Sequence, residues 1–199
     1  MKTIRIVIIN GSLRPKNDTR MASALVADEL RKDADLDVHV INPGEYGLVF
    51  PGERGRGNGP PAREVREADA VVSATPQYNG GLSSVMKAVI ENLEQLAGKP
   101  VALLGVAAGA IGAIKSLEML RGIASHVGVV VLPQAVSIAG VQNKFSADGQ
   151  VLDAAAGAIG AFRDQPGSLS RGGCSPETRT SEPRTSRCNR CRQLSYPSL

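Results

Sequence analysis

The sequence predicts an α/β domain with a parallel sheet of five strands, and three observations favour this fold class. Short, almost wholly apolar runs of β-branched residues recur along the chain, as buried parallel strands require. Segments with helical spacing of apolar residues stand between them. Glycine, proline or asparagine marks most boundaries between the two. Such an alternation folds into three layers, in which helices cover both faces of the sheet.

The first third of the chain supplies two strands and one helix. Thr3–Ile9 is the first strand, and it ends at a polar turn over residues 10–12. A helix is expected from about residue 21 to residue 32. Asp37–Ile41 is the second strand, whose alternating pattern favours a position near a sheet edge. Residues 42–61 are rich in glycine and proline, so a long loop is expected there.

Three further strands follow. The third, Ala70–Ala74, comes after a short helix over 62–68 and ends at Thr75-Pro76. Either Ser83 or Ser84 can cap the next helix, which runs to about Leu96. The remaining elements are a fourth strand at Val101–Val106, a helix over 113–127, a fifth strand at Val129–Leu132 that Pro133 stops, and a last helix at Leu152–Phe162. Five strands with helical connections match the flavodoxin-like order 2-1-3-4-5 better than a six-stranded dinucleotide-binding sheet.

The composition separates a folded domain from a tail. The net charge of +4 comes entirely from residues 166–199, because residues 1–165 carry equal numbers of acidic and basic side chains. The domain over 1–165 therefore has no basic bias, and we expect no nucleic-acid partner. The tail is dominated by Ser, Thr, Arg and Pro, which predicts disorder. No apolar run is long enough to span a membrane and no secretory signal is visible, so a soluble cytoplasmic protein without a membrane partner is expected.

The cysteines and histidines do not indicate a metal site. Cys188 and Cys191 form a C-x-x-C pair with Cys174 upstream, but the tail offers no fourth ligand for zinc. His39 and His126 lie far apart in the chain, without metal-ligand spacing. We therefore predict no metal.

Two loops at the carboxyl ends of the predicted strands contain most of the candidate binding residues. In a 2-1-3-4-5 sheet the strand order reverses between strands one and three, and ligands bind in the crevice there. Loop 10–19 offers hydroxyls at Ser12 and Thr19, the amide of Asn17 and the guanidinium of Arg14, just before a helix. These donors suit a monophosphate. The alternative is a capped helix that follows an ordinary polar turn.

Loop 76–83 and loop 107–112 add surfaces of a different kind. The first, PQYNGGLS, can present backbone amides and carbonyls to the edge of a flat ring system, with Tyr78 beside it. The alternative is an exposed turn in which Tyr78 covers the end of the sheet. The second, AAGAIG, consists of small residues that allow close ligand approach, or it is simply a tight packing turn.

Three segments resemble the NADPH-dependent FMN reductase family, which is flavodoxin-like and includes quinone, azo-dye and chromate reductases. They are GSLRPKNDT, ATPQYNGGLSSVMKAVIE and GKPVALLGVAAGAIGAIKSLEMLR, in order, within a resemblance that runs from about Ile4 to Phe162. The resemblance implies two groups of FMN contacts. These are Ser12, Arg14, Asn17 and Thr19 at the phosphate, and Pro76, Gln77, Tyr78, Asn79 and Gly80 at the isoalloxazine ring and ribityl chain, with Gly109 near the far edge of the ring. The family usually has Glu where Gln77 stands, so the charge near the ring differs here.

The resemblance further implies an FMN-dependent NAD(P)H oxidoreductase with a ping-pong mechanism. NADPH or NADH reduces the flavin, and a small-molecule acceptor then takes the electrons: a quinone, an azo compound, a metal oxyanion or free flavin. The flavin performs the chemistry, so no side chain is assigned as a catalytic acid or base. The resemblance also implies that this protein forms a homodimer or homotetramer. The alternatives are an electron carrier without NAD(P)H activity and a non-catalytic interaction protein.

Overall fold

The computed structural model describes residues 3–15, 17–46, 60–93, 96–146 and 149–152 of the 199-residue chain. The helices and strands, in chain order, are β1 (Ile4–Asn10), α1 (Asp18–Leu30), β2 (Leu36–Ile41), α2 (Pro60–Glu67), β3 (Ala70–Tyr78), β4 (Gly81–Leu82), α3 (Ser84–Asn92), β5 (Pro100–Val106), α4 (Ile114–His126) and β6 (Val130–Ile138). Two short 3₁₀ turns, Pro43–Glu45 and Val141–Asn143, follow β2 and β6. No helix in the described part of the chain is long and apolar enough to cross a membrane.

The main sheet has the order β2-β1-β3-β5-β6, and each of these pairings is parallel. With the two-residue β4 set aside, this is the predicted order 2-1-3-4-5, so the flavodoxin-like prediction is confirmed. The prediction of five strands was short by one, because β4 pairs with β3 in an antiparallel hairpin. As its alternating pattern indicated, β2 lies at an edge of the sheet.

Apolar side chains fill both faces of the sheet. Ile6 and Ile8 of β1 belong to the core cluster that includes α1, whereas Val7 and Ile9 belong to the cluster that includes α2, α3 and α4. All four side chains are at most 2% exposed. Alternate residues of one strand thus face opposite layers, which explains why the buried strands read as continuous apolar runs.

Two helix boundaries differ from the prediction for local reasons. α1 begins at Asp18, three residues early, because the side chain of Asn17 caps it: Oδ1 accepts the Arg20 N–H at 3.0 Å. α3 ends at Asn92 rather than Leu96, since Leu93 already has an extended backbone. Of the two serines that precede α3, Ser83 is the cap, and its Oγ accepts the N–H of Met86 at 3.1 Å.

Two strands run through prolines that were predicted to end them. β3 continues past Pro76 to Tyr78, and β6 continues past Pro133 to Ile138, so both predicted ends were wrong. In β6 the reason is a bulge: its register with β5 shifts between Val101 and Leu103. Proline is tolerated at a bulge in an edge strand because no ladder N–H is needed there.

The helices that cover the sheet also reach its two edges. Arg121 of α4 donates to the carbonyls of Leu132 (3.3 Å) and Pro133 (3.1 Å) on β6. At the opposite edge, Arg31 follows α1 and donates to the carbonyl of Val38 on β2 at 3.0 Å. Each edge strand therefore has carbonyl groups satisfied by an arginine side chain.

Several sequence predictions fall outside the described residues. They are the helix at Leu152–Phe162 beyond its first residue, the tail over 166–199 with its cysteines, and most of the predicted loop over 42–61. These stay predictions.

Candidate functional site

A cleft of about 330 Å³ opens at the carboxyl ends of β1, β3 and β5. It lies where the strand order reverses, as expected for ligand sites in open α/β sheets. Its volume is at the lower end of the range for small-molecule sites. The residues that line it are Ser12, Arg14, Asn17, Asp18, Thr19, Pro76, Gln77, Tyr78, Asn79, Val106, Ala107, Ala108 and Val141. Eight of the ten predicted site residues are among them, whereas Gly80 and Gly109 are not.

The first loop is anchored to its neighbours at Gly11. The Gly11 N–H donates to the carbonyl of Ala74 at 2.7 Å, and the Gly11 carbonyl accepts from Ser83 Oγ at 2.7 Å. A Cβ at residue 11 would lie 2.7 Å from the Ala74 oxygen and 2.9 Å from Met86 Cε. Glycine is therefore required for β1 to turn into the loop so close to β3.

Asn17 shapes this loop from inside. Its Nδ2 donates to the carbonyl of Ser12 at 2.8 Å, while its Oδ1 caps α1. Both polar atoms of the Asn17 side chain are thus engaged within the protein, and the residue is buried. The amides of Asp18 and Thr19 form the first turn of α1 and have no acceptor among the described residues. Open donors of this kind attract anions.

Tyr78 joins the two main loops across the cleft. Its hydroxyl lies 3.0 Å from Ser12 Oγ, and the guanidinium of Arg14 stacks over its ring at 4.1 Å from the centroid. The backbone N–H of Arg14 also donates to Ser12 Oγ at 3.4 Å. The last residue of β3 therefore contacts two residues of the loop that follows β1.

A tight hairpin fixes the backbone after β3. Asn79 and Gly80 both have positive φ, 49° and 76°, and they connect the paired residues Tyr78 and Gly81. This is the geometry of a type I′ turn, for which Asn-Gly is the preferred sequence. The Asn-Gly pair was the signal for this hairpin, which the sequence analysis treated only as a loop.

Gln77 connects the cleft to α4. Its Oε1 accepts the N–H of Ser116 in the first turn of the helix at 3.2 Å. Ala113, at the N-cap position, has no side-chain cap of its own, and its N–H donates to Ser137 Oγ at 2.8 Å. Side chains from β3 and β6 thus supply acceptors that the helix start lacks. An oxygen acceptor at residue 77 is needed for this contact.

The loop after β5 and the segment after β6 close the other side of the cleft. Ala107, Ala108 and Val141 line it. Gly109 supports them from outside, because its carbonyl accepts the N–H groups of Gly112 and Gly140 at 3.1 and 3.2 Å. Val141 was not predicted, because the last strand was expected to end at Leu132, whereas β6 continues to Ile138 and brings Val141 to the cleft.

The arrangement fits a phosphorylated ligand with a flat ring. One end of the cleft presents hydroxyls, a guanidinium and open helix amides, which match the acceptor-only oxygens of a phosphate. The other end consists of Pro76, the rigid hairpin and the small side chains of Ala107 and Ala108. Within the described residues, no group of His, Cys, Asp or Glu side chains is arranged to hold a metal ion.

Comparison with known proteins supports the same kind of ligand. The model of the NADPH-dependent FMN reductase family matches residues 4–143. An NAD(P)H-dependent FMN reductase from Pseudomonas aeruginosa is 32% identical over 167 residues, which cover 75% of this chain and 85% of that protein. An NADPH azoreductase from a Bacillus species is 28% identical over 145 residues, 69% of this chain and 78% of the relative.

A solved structure matches the fold. It is FerB, a flavoenzyme NAD(P)H:(acceptor) oxidoreductase from Paracoccus denitrificans, with a TM-score of 0.61 and 24% identity. The match covers 82% of this chain and 97% of FerB. At this identity the likeness shows the fold alone.

Proposed function

This chain belongs to the NADPH-dependent FMN reductase family, and on that basis we propose that its FMN binds in the cleft at the ends of β1, β3 and β5. The protein is an FMN-dependent NAD(P)H oxidoreductase. When bound, FMN supplies the hydride and electron transfer chemistry. The side chains of this protein bind the cofactor and orient it.

One observation carries the proposal: the cleft has donors at one end and a rigid, uncharged surface at the other. Ser12, Arg14 and Thr19, with the open amides of α1, hold the phosphate. Asn17 shapes their loop. The ring and ribityl chain lie along the remaining predicted contacts, which are Pro76, Gln77, Tyr78 and Asn79. Gly80 and Gly109 do not line the cleft but fix the backbone of residues that do: Gly80 in the hairpin after β3, and Gly109 in loop 107–112.

The acceptors we propose are quinones and azo compounds, with metal oxyanions and free flavin as further members of the same class. Ala108 lines the cleft and is exposed, which leaves this side of the cleft open to a second molecule. The side chains at this end of the cleft are uncharged, so they place no charge requirement on the acceptor.

The test is to reconstitute the purified protein with FMN and to record its visible spectrum before and after anaerobic addition of NADPH or NADH. We expect retained flavin bands that bleach. Bound flavin that stays oxidised with both nucleotides would instead indicate an electron carrier, and failure to retain FMN would indicate a non-catalytic protein.

The phosphate assignment has its own test with a matched control. Arg14→Ala removes a charge-assisted contact, so we expect FMN affinity to fall about 10- to 100-fold. Arg20→Ala removes an exposed arginine six residues away that does not line the cleft, and its affinity should stay unchanged. Equal affinity in the two variants would exclude the phosphate role of Arg14.

We also propose that the protein is a cytoplasmic homodimer or homotetramer that associates through α4. Ile111, Ile114 and Met119 lie just before or on this helix and are 81%, 48% and 50% exposed. Three large exposed apolar side chains within one short stretch of the chain support an interface there. Light scattering should give the mass of an oligomer for the wild type and a lower mass for Ile111→Asp. Val130→Asp, which alters an exposed apolar residue on β6, serves as the control.

A further inference from the structure

We propose that Tyr78 is a positioning residue for the phosphate of FMN, although it lies in the segment otherwise assigned to the ring. This inference rests on the proposed function, since it takes Ser12 and Arg14 as phosphate ligands. Tyr78 contacts both of them: its hydroxyl meets Ser12 Oγ and its ring lies under the Arg14 guanidinium. It is thus the link through which the β3 hairpin orients the phosphate end of the cleft.

The backbone of Ser12 is already fixed without Tyr78. Its carbonyl accepts from Nδ2 of Asn17 at 2.8 Å and from Nδ2 of Asn10 at 3.2 Å. Ser12 is buried, with 3% of the residue exposed, so few orientations are open to its side chain. What remains to be set is the direction in which the Ser12 hydroxyl donates its single proton.

The chemistry of a phosphate sets that direction. A phosphate oxygen only accepts hydrogen bonds, so Ser12 must donate to it. The Ser12 oxygen then accepts from the Tyr78 hydroxyl, which is 3.0 Å away. The result is a chain of donors from Tyr78 through Ser12 to the phosphate, in which each hydrogen bond strengthens the next. A flavin without a phosphate offers a hydroxyl that can donate or accept, so it gains little from this chain.

The ring of Tyr78 acts separately on Arg14. The side chain of Arg14 is exposed, and a free arginine loses rotamer freedom when it binds a ligand. The cation–π contact, with the guanidinium carbon 4.1 Å from the ring centroid, restrains the Arg14 side chain, and the N–H groups of the guanidinium can still donate to an anion. The hydroxyl and the ring of Tyr78 therefore make separate contributions that two variants can distinguish.

The experiment measures the dissociation constants of FMN and riboflavin for the full-length apoprotein by flavin fluorescence. Tyr78→Phe removes the hydroxyl and keeps the ring, whereas Tyr78→Leu removes both. We expect Tyr78→Phe to weaken FMN binding about three- to tenfold, the range for one hydrogen bond, and to change riboflavin binding less than about twofold. Tyr78→Leu should weaken FMN binding further. Tyr46→Phe, which alters a tyrosine that does not line the cleft, is the control.

A double-mutant cycle isolates the contact with Ser12. In a Ser12→Ala background the Tyr78→Phe change should no longer affect FMN binding, because the hydroxyl has lost its acceptor. Equal weakening of FMN and riboflavin by Tyr78→Phe, or additive effects in the cycle, would overturn the inference and assign Tyr78 to the ring. Wild-type protein that binds neither flavin would overturn the proposed function itself, and this inference with it.

Discussion

Replacing Ser83 by alanine tests how the loop after β1 is tied to the start of α3. One hydroxyl makes both contacts: Oγ donates to the carbonyl of Gly11 at 2.7 Å and accepts the N–H of Met86 at 3.1 Å. Ser83 is 1% exposed, so water does not replace the lost partner of Gly11 without rearrangement. Alanine therefore removes a helix cap and leaves a buried carbonyl without a donor.

The expected loss of stability follows from these two contacts. Loss of a serine N-cap costs about 0.5–2 kcal/mol. A buried carbonyl left unsatisfied costs about 1–3 kcal/mol. Since one side chain provides both, we expect Ser83→Ala to lower the free energy of unfolding by about 2–4 kcal/mol. FMN affinity should fall as well, because Gly11 begins the loop that we propose binds the phosphate.

The assay is urea unfolding followed by far-ultraviolet circular dichroism, with stabilities compared at equal slopes. Ser84→Ala is the matched control, since Ser84 is the adjacent serine, is exposed and makes no cap. Its stability should stay within about 0.5 kcal/mol of the wild type. If Ser83→Ala unfolds at the same urea concentration as Ser84→Ala, the double contact does not contribute as the structure indicates.

Three further predictions use the same measurement. Gly11→Ala should lower stability by about 1–3 kcal/mol, because its Cβ would lie 2.7 Å from the carbonyl of Ala74; an unchanged midpoint would contradict this. Gly122→Ala should raise stability by about 0.5–1 kcal/mol, since residue 122 lies inside α4 with open space around the added methyl, and a loss would refute it. Burial raises the pKa of Asp37, but the hydrogen bond and the charge of Arg5 outweigh it, so the pKa lies below its ordinary value of 3.8. The stability that Asp37 contributes is therefore present above about pH 4 and is lost as the pH falls through the folded-state pKa. Asp37→Asn should therefore reduce the loss of stability between neutral and acidic pH, and identical acid profiles for variant and wild type would contradict the assignment.

The strands were predictable because burial on two faces leaves a strong signal, and their order because five strands with helical connections match one common parallel fold. Ile6, Val7, Ile8 and Ile9 are apolar without interruption, and only a strand buried on both sides needs this. The end of β6 was not predictable in the same way. Whether Pro133 ends the strand depends on the bulge in the pairing of β6 with β5. The register of two paired strands cannot be derived from the sequence of one strand alone.

Much of the cleft was also predictable, since parallel strands bring their carboxyl ends to one side of the sheet. Ser12 and Pro76 both line the cleft for that reason. The contact between Ser12 and Tyr78 was not predictable, because it depends on where the Tyr78 hydroxyl lies at the start of the hairpin after β3. Val141 was missed because β6 was expected to end nine residues before it.

The arginines at the two ends of the sheet have a consequence for behaviour at high concentration. The unpaired N–H and C=O groups of an uncovered outer strand can pair with a strand of another chain, which is a common route to aggregation. Here Arg31 donates a hydrogen bond to the carbonyl of Val38, and Arg121 donates to the carbonyls of Leu132 and Pro133. Pro133 in addition has no N–H to offer to an added strand. Strand addition is therefore impeded at the middle of both outer strands. Of the two outer strands, each therefore has at least one carbonyl that an added strand would have to win from an arginine before it could pair there.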